Sequence, residues 1–270
     1  MAKQTKTRNE VVPAENHQPT LWTEEMPEGY APGAKTGISD RAEDNLIPMI
    51  IVLQPLSPQL DENSSKYVEG AKAGTILLRN SPGSGMVPPD QGFVFQQCDY
   101  RPIWIEWIDR ERGGGFVARY ADKNGQPDLA GVRRHPSDRF AFVNPQTGNR
   151  ITNHHNHVGY VLGDHDPLPA LISFKGAGIT ESRNWMTMMP RKRPDGTAAD
   201  ACDVAFQIVA VKKENPKGRW YDLRATKRLG FVTADQQKMG RQLAEQFQAG
   251  EVNADYSDAA PTAGEESEAM

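Results

Sequence analysis

Residues 92–120, GFVFQQCDYRPIWIEWIDRERGGGFVARY, constrain the fold of this chain more than any other segment. Ile103, Ile105 and Trp107 alternate with Trp104, Glu106 and Ile108, a period of two that belongs to an extended strand and not to a helix. Both alternating sets carry a large aromatic, so the spacing predicts one long strand with Trp104 and Trp107 on opposite faces. Gly113 to Gly115 then free the backbone for a sharp turn into 116–120. Further turn signals at Asn124-Gly125 and Thr147-Gly148-Asn149 mark hairpins.

The rest of the chain is read around this strand. Leu46 to Pro58, LIPMIIVLQPLSP, is the most apolar run, and prolines bracket a block from Met49 to Gln54 that fits a buried strand or a short helix from Pro48. A turn at Gly70 to Gly74 leads into a second strand, and later strands are expected at His157 to Leu162, Ala170 to Lys175, Val204 to Lys212 and Trp220 to Thr226. Helical spacing is weak except over Ile179 to Met189 and after Thr233, a cap followed by Met239, Leu243 and Phe247 and stopped by Gly250. Residues 1–40 are polar and Pro-rich and read as a disordered arm, despite Trp22, Met26 and Tyr30 at four-residue spacing. The expected layout is an arm over 1–40, a mainly β domain over 41–232, a helix over 233–250 and an acidic disordered tail over 251–270.

Charge is informative only when divided along the chain. The net formal charge is -4, but residues 242–270 hold seven acids and no Lys or Arg, which leaves +3 for the first 241 residues. Within those, 171–230 carries twelve basic and six acidic residues. A basic body followed by an acidic tail is a pattern that favours a polyanionic partner for the body. No run approaches 18 apolar residues and the N-terminus carries no apolar signal segment, so a soluble cytoplasmic protein without a membrane partner is expected. Cys98 and Cys202 lie 104 positions apart without a CxxC neighbour, and both are expected to be reduced.

Cations interleaved with aromatics form the main candidate site. One group is Lys212, Lys213, Lys217, Arg219, Trp220, Tyr221, Arg224, Lys227 and Arg228. A second is Phe174, Lys175, Arg183, Trp185, Arg191, Lys192 and Arg193, with Trp104 and Trp107 as further rings. Cations that follow phosphates beside rings that stack on unpaired bases are what a single-stranded nucleic acid requires. No groove-reading helix for duplex DNA is visible. His154, His155, His157 and His165 with Asp164 and Asp166 are a weak metal-ligand set, lacking a motif such as HExxH. Gly113 to Gly115 are not followed by Gly-Lys-Ser/Thr, and there is no GxSxG, so neither a triphosphate site nor an acyl-transfer enzyme is indicated. No cofactor, metal or catalytic residue is expected.

EDNLIPMIIVLQPLSP, YVEGAKAGTILL, IWIEWIDRERGGGFVARY, ALISFKGAGITESRNWMTMM and VAFQIVAVKKENPKGRWYDLRA, in that order over residues 40–230, resemble a family of tailed-bacteriophage proteins that look like single-stranded DNA-binding proteins. The resemblance implies an OB-like β-barrel with insertions and one or two helices, acting on unpaired DNA during phage replication or recombination in the host cytoplasm. It also implies that the tail acids Asp255, Asp258, Glu265, Glu266 and Glu268 compete with DNA or recruit replication and recombination proteins. The tail ends in Ser-Glu-Ala-Met, without the terminal aromatic that many such tails carry. The expectation is therefore a non-enzymatic single-stranded DNA-binding protein, able to form homo-oligomers. The alternatives are a metal-dependent nuclease built on the histidines, a strand-annealing recombinase, and a virion or assembly protein.

Overall fold

The long period-two segment is the strand on which the fold is built. The structure is a computed structural model and describes residues 46–78, 86–109, 112–138, 140–163, 166–216, 218–254 and 256; the arm and nearly all of the acidic tail lie outside the described residues. Its strands are β1 (Leu46–Ile47), β2 (Met49–Val52), β3 (Ile76–Leu78), β4 (Met86–Val87), β5 (Gly92–Trp107), β6 (Phe116–Lys123), β7 (Gln126–Pro127), β8 (Arg133–Arg134), β9 (Ala141–Val143), β10 (Arg150–Leu162), β11 (Leu168–Lys175), β12 (Val204–Asn215), β13 (Gly218–Phe231) and β14 (Asn253–Ala254). Two α-helices accompany them, α1 (Ile179–Thr187) and α2 (Ala234–Ala249). The mainly β architecture agrees with the sequence, and the strands expected from 157 and 220 are longer than their local patterns suggested.

Hydrogen bonding orders the main sheet β13-β12-β5-β10-β11-β2-β3-β4, with β6 and β9 attached to β5 and β10. That path is open, so the expected mainly β fold holds without a closed barrel ladder among the described residues. A side chain spans the gap instead: the Gln54 amide donates to the Tyr221 carbonyl at 2.8 Å and accepts from the Tyr221 N–H at 2.9 Å. This reproduces one rung of a ladder between β2 and β13. Tyr221 also lies so close to Gly74 that a Cβ there would sit 2.6 Å from its ring, so only glycine fits the seam.

Both faces of the β5–β10 pair are covered, which explains the aromatics on both sides of β5. One face packs Phe95, Phe174, Phe206 and Ile172 around Trp185 from α1. The other packs Ile105, Trp107, Val158 and Cys98 against Leu243 from α2 and against Ala254 and Tyr256. Between them β10 shifts register at Val158/Gly159, leaving Cys98 unpaired in β5. A Cβ on Gly159 would lie 1.9 Å from the Gln96 carbonyl oxygen, so that bulge requires glycine. α2 begins with a reciprocal cap, Thr233 and Gln236 bonding each other's backbone N–H, and ends at Gly250 with φ 77°. The fold then continues past the expected boundary at 250, because β14 pairs in parallel with β1 and Tyr256 is buried.

Candidate nucleic-acid interface

Four of the expected stacking rings belong to the core. Trp104, Trp107, Phe174 and Trp185 are buried. The Trp104 indole donates to Asp122 at 2.7 Å and the Trp107 indole to Thr152 at 3.0 Å. Trp185 stacks face to face on His157, centroids 4.3 Å apart and planes 2° apart. These four are corrected from base platforms to core residues: Phe174 and Trp185 pack together under α1, Trp107 lies in the cluster that Leu243 of α2 joins, and Trp104 packs against Phe142 and Ile151. Of the remaining two, Tyr221 is fixed in the Gln54–Gly74 seam, and Trp220 is half-buried.

Several of the expected cations are held by buried acids. Glu181, on the inner side of α1, receives Lys213 Nζ at 2.5 Å and Arg224 Nε and Nη2 at 2.8 and 3.0 Å. The Arg224 guanidinium, with help from Lys213, holds the Glu181 carboxyl below its ordinary pKa despite burial. Arg193 forms a two-pronged pair with Asp203, Nε to Oδ2 at 2.7 Å and Nη2 to Oδ1 at 3.1 Å, and reaches Asp200 at 3.2 Å. Lys213 and Arg224 thus fasten α1 to β12 and β13, and Arg193 closes the 188–203 loop on itself, before any ligand arrives.

The other cations are exposed or half-buried. Arg183, Arg191, Lys192, Lys212, Arg219, Lys227 and Arg228 are exposed, Lys175 is half-buried, and Lys217 lies outside the described residues. Lys212 and Arg219 flank Glu214, at 4.0 and 3.1 Å. The β12–β13 ribbon is where charge concentrates: residues 204–231 hold seven Lys or Arg and two acids. Its register pairs Lys213 with Trp220, Val211 with Asp222 and Val209 with Arg224, which sets Trp220, Asp222, Arg224 and Lys213 on one face. Lys212, Glu214, Arg219 and Tyr221 occupy the other. β13 is the outermost strand of the path, and at Tyr221 its edge is taken by the Gln54 side chain.

The histidines do not converge. Successive residues of β10 point to opposite faces, so His154 lies with Trp107 and Ser173 while His155 and His157 lie under α1. His157 Nδ1 donates to Gln97 Oε1 at 2.7 Å, and its Nε2 accepts from Ser182 Oγ at 2.8 Å. His155 Nδ1 lies 3.0 Å from the Tyr100 hydroxyl and 3.1 Å from the same serine oxygen. Burial drives the pKa of His154 and His157 well below the ordinary value and also lowers that of His155. The three are neutral core groups, and His165 and Asp164 lie outside the described residues. Among the described residues the one cluster with metal-ligand spacing is Asp200, Cys202 and Asp203. Arg193 and Arg241 already occupy its carboxylates, which is a poor environment for a cation.

A family model for Pam3 phage gp34-like proteins matches residues 22–253. The chain belongs to this family. It is therefore a bacteriophage protein, and the match spans the whole described fold up to Asn253. No curated protein and no solved structure matches it. No helix among the described residues is long and apolar enough to cross a membrane.

Several residues that organise this phage protein carry no sequence motif. Glu106 is fully buried and accepts from Tyr120, Thr147, Asn144 and Asn149 at 2.5 to 2.8 Å. Burial alone would raise its pKa, yet the four donors together hold it below the ordinary value. Conversely, burial and the hydrogen bond to Glu106 push Tyr120 up to about 12. Glu181, Gln54 and Tyr256 act across separations of 32 to 167 residues, which no local pattern announces. The tail residues Asp255, Asp258, Glu265, Glu266 and Glu268 lie outside the described residues.

Proposed function

We propose that this phage protein binds single-stranded DNA along the β12–β13 ribbon, without enzymatic chemistry, to coat unpaired strands during replication or recombination. The observation that carries the reading is the cation excess of the outer β12–β13 ribbon, seven against two acids in sequence, of which Lys212, Arg219, Lys227 and Arg228 are exposed and not held by a buried acid. Phosphates attract such a strip whatever the base sequence, and an exposed ring face adds sequence-tolerant stacking. Lys212, Arg219, Lys227 and Arg228 are the ribbon cations that buried acids leave accessible, and Arg183, Arg191 and Lys192 add charge from α1 and the following loop. The acidic C-terminal residues act as a competitor for the same strip or as a partner-recruiting segment. Binding takes place in the host cytoplasm.

The test is an anisotropy titration of fluorescein-labelled dT20 and of a 20-base-pair duplex with the full chain and with a variant carrying Lys212→Ala, Arg219→Ala, Lys227→Ala and Arg228→Ala. Tighter binding of dT20 than of the duplex, weakened at least tenfold in the variant, supports the ribbon. Unchanged dT20 affinity in a folded variant rejects it. Absence of any salt-sensitive binding by the wild-type chain moves the reading to a virion or assembly protein.

A further inference from the structure

Resting on the single-strand reading, we infer that Asp222 is a positioning residue that aims the Trp220 ring at an incoming base and connects that ring to α1. The Trp220 indole N–H donates to Asp222 Oδ2 at 3.2 Å, from two residues away on the same face of β13. The same oxygen lies 3.7 Å from Lys213 Nζ, which donates to Glu181 at 2.5 Å. The other oxygen of Asp222 lies by the start of α1, where a Cβ added to Gly178 would come within 3.6 Å of it. Asp222 is thus wedged between β13 and α1, with its side chain 15% exposed. A carboxylate in such a place needs partners, and two of the groups it has are the Trp220 indole and the Lys213 ammonium.

Trp220 is the natural target for such an arrangement. Among the described residues it is the one tryptophan outside the buried set, since Trp104, Trp107 and Trp185 all lie in the core. An indole on a strand face rotates between wells about χ1 and χ2, and fixing its N–H removes that freedom before a base arrives. The neighbouring ring, Tyr221, points to the opposite face and is locked in the seam, so it offers no substitute platform. Because Lys213 and Arg224 meet at Glu181, the orientation of Trp220 is tied to the seating of α1.

The test uses dT20 with the full chain and three variants. Asp222→Ala is expected to lower affinity about five- to tenfold, within the range of one lost stacking contact, with the salt slope unchanged because no phosphate contact is removed. Asp222→Asn keeps a carbonyl acceptor and is expected to stay within twofold of the wild type. Trp220→Phe keeps a ring without the N–H, and adding Asp222→Ala to it is expected to cause no further loss. Tryptophan emission supplies a readout independent of DNA: iodide quenches Asp222→Ala more strongly than the wild type, and the difference vanishes in the Trp220→Phe background. Wild-type affinity together with unchanged iodide quenching in Asp222→Ala overturns the positioning role while leaving single-strand binding intact. Failure of the wild type itself to bind dT20 defeats the single-strand reading and the positioning role with it.

Discussion

Replacing Glu181 by glutamine removes one charge from the point where α1, β12 and β13 meet. Three charge-assisted hydrogen bonds converge on that carboxylate, which is 3% exposed, while its partners Lys213 and Arg224 are 28% and 44% exposed. Each such bond is worth about 1.5–3 kcal/mol in a buried setting. The two cations regain water once released, so the three do not add, and the net loss comes to about 3 kcal/mol. For a domain of this size that corresponds to a Tm lower by roughly 6–12 °C. Calorimetry and urea unfolding of Glu181→Gln at pH 7.5 read this directly. Glu181 has a lowered folded pKa, so its contribution is present above its unfolded pKa and is lost as pH falls through the folded one. The variant's deficit is therefore largest near neutrality and shrinks in acid. At low salt the folded variant binds dT20 more tightly, because Lys213 and Arg224 become available to phosphate. A Tm within 1 °C of the wild type, or a deficit that grows on acidification, refutes the reasoning.

Other consequences follow from the same geometry. Gly159→Ala, which forces a Cβ against the Gln96 carbonyl, costs more than about 3 kcal/mol and lowers the urea midpoint accordingly. Tyr256→Ala removes a buried ring that stacks near Phe116 and accepts from Asn156, and destabilises by about 3 kcal/mol in chemical unfolding. His154 and His157 are held neutral by burial, so the unfolded chain takes up protons that the folded one does not as pH falls below about 6.5. Stability measured by urea then declines from pH 7.5 to pH 5, at up to about 1.4 kcal/mol per pH unit for each histidine, and His157→Gln reduces that slope.

The parts of this fold that depend on neighbours in sequence were legible there. Period-two spacing marked β5, Thr233 and Gly250 marked the ends of α2, and the Asn215 to Gly218 turn joined β12 to β13. What could not be read was which face of a strand meets water. Aromatics on both faces of β5 are the mark of a strand covered twice, by α1 and by α2, but the same pattern fits a strand with one exposed stacking face. Trp107 was misplaced for that reason, Trp104 because Phe142 and Ile151 cover it, and Phe174 of β11 and Trp185 of α1 because they fill the cluster between those two elements. Charge was misjudged in a different way: Arg193 is ten residues from Asp203, but Lys213 and Arg224 lie 32 and 43 residues from Glu181. Pairing over such distances turns apparent ligand-binding cations into fasteners of the fold. Lys212, Arg219, Lys227 and Arg228 remain as surface groups because no buried acid reaches them, while Trp220 stays half-buried with its N–H on Asp222.

The salt dependence of dT20 binding tests the central claim most directly. Four accessible ribbon cations engaging four phosphates give a slope of log K against log salt of about -3, which is a loss of roughly fifty-fold between 50 and 200 mM. The account predicts a slope at least that steep for the wild-type chain and one shallower by about 3 for the variant lacking Lys212, Arg219, Lys227 and Arg228. A wild-type slope near zero, or a steep slope that survives removal of those four cations, contradicts it.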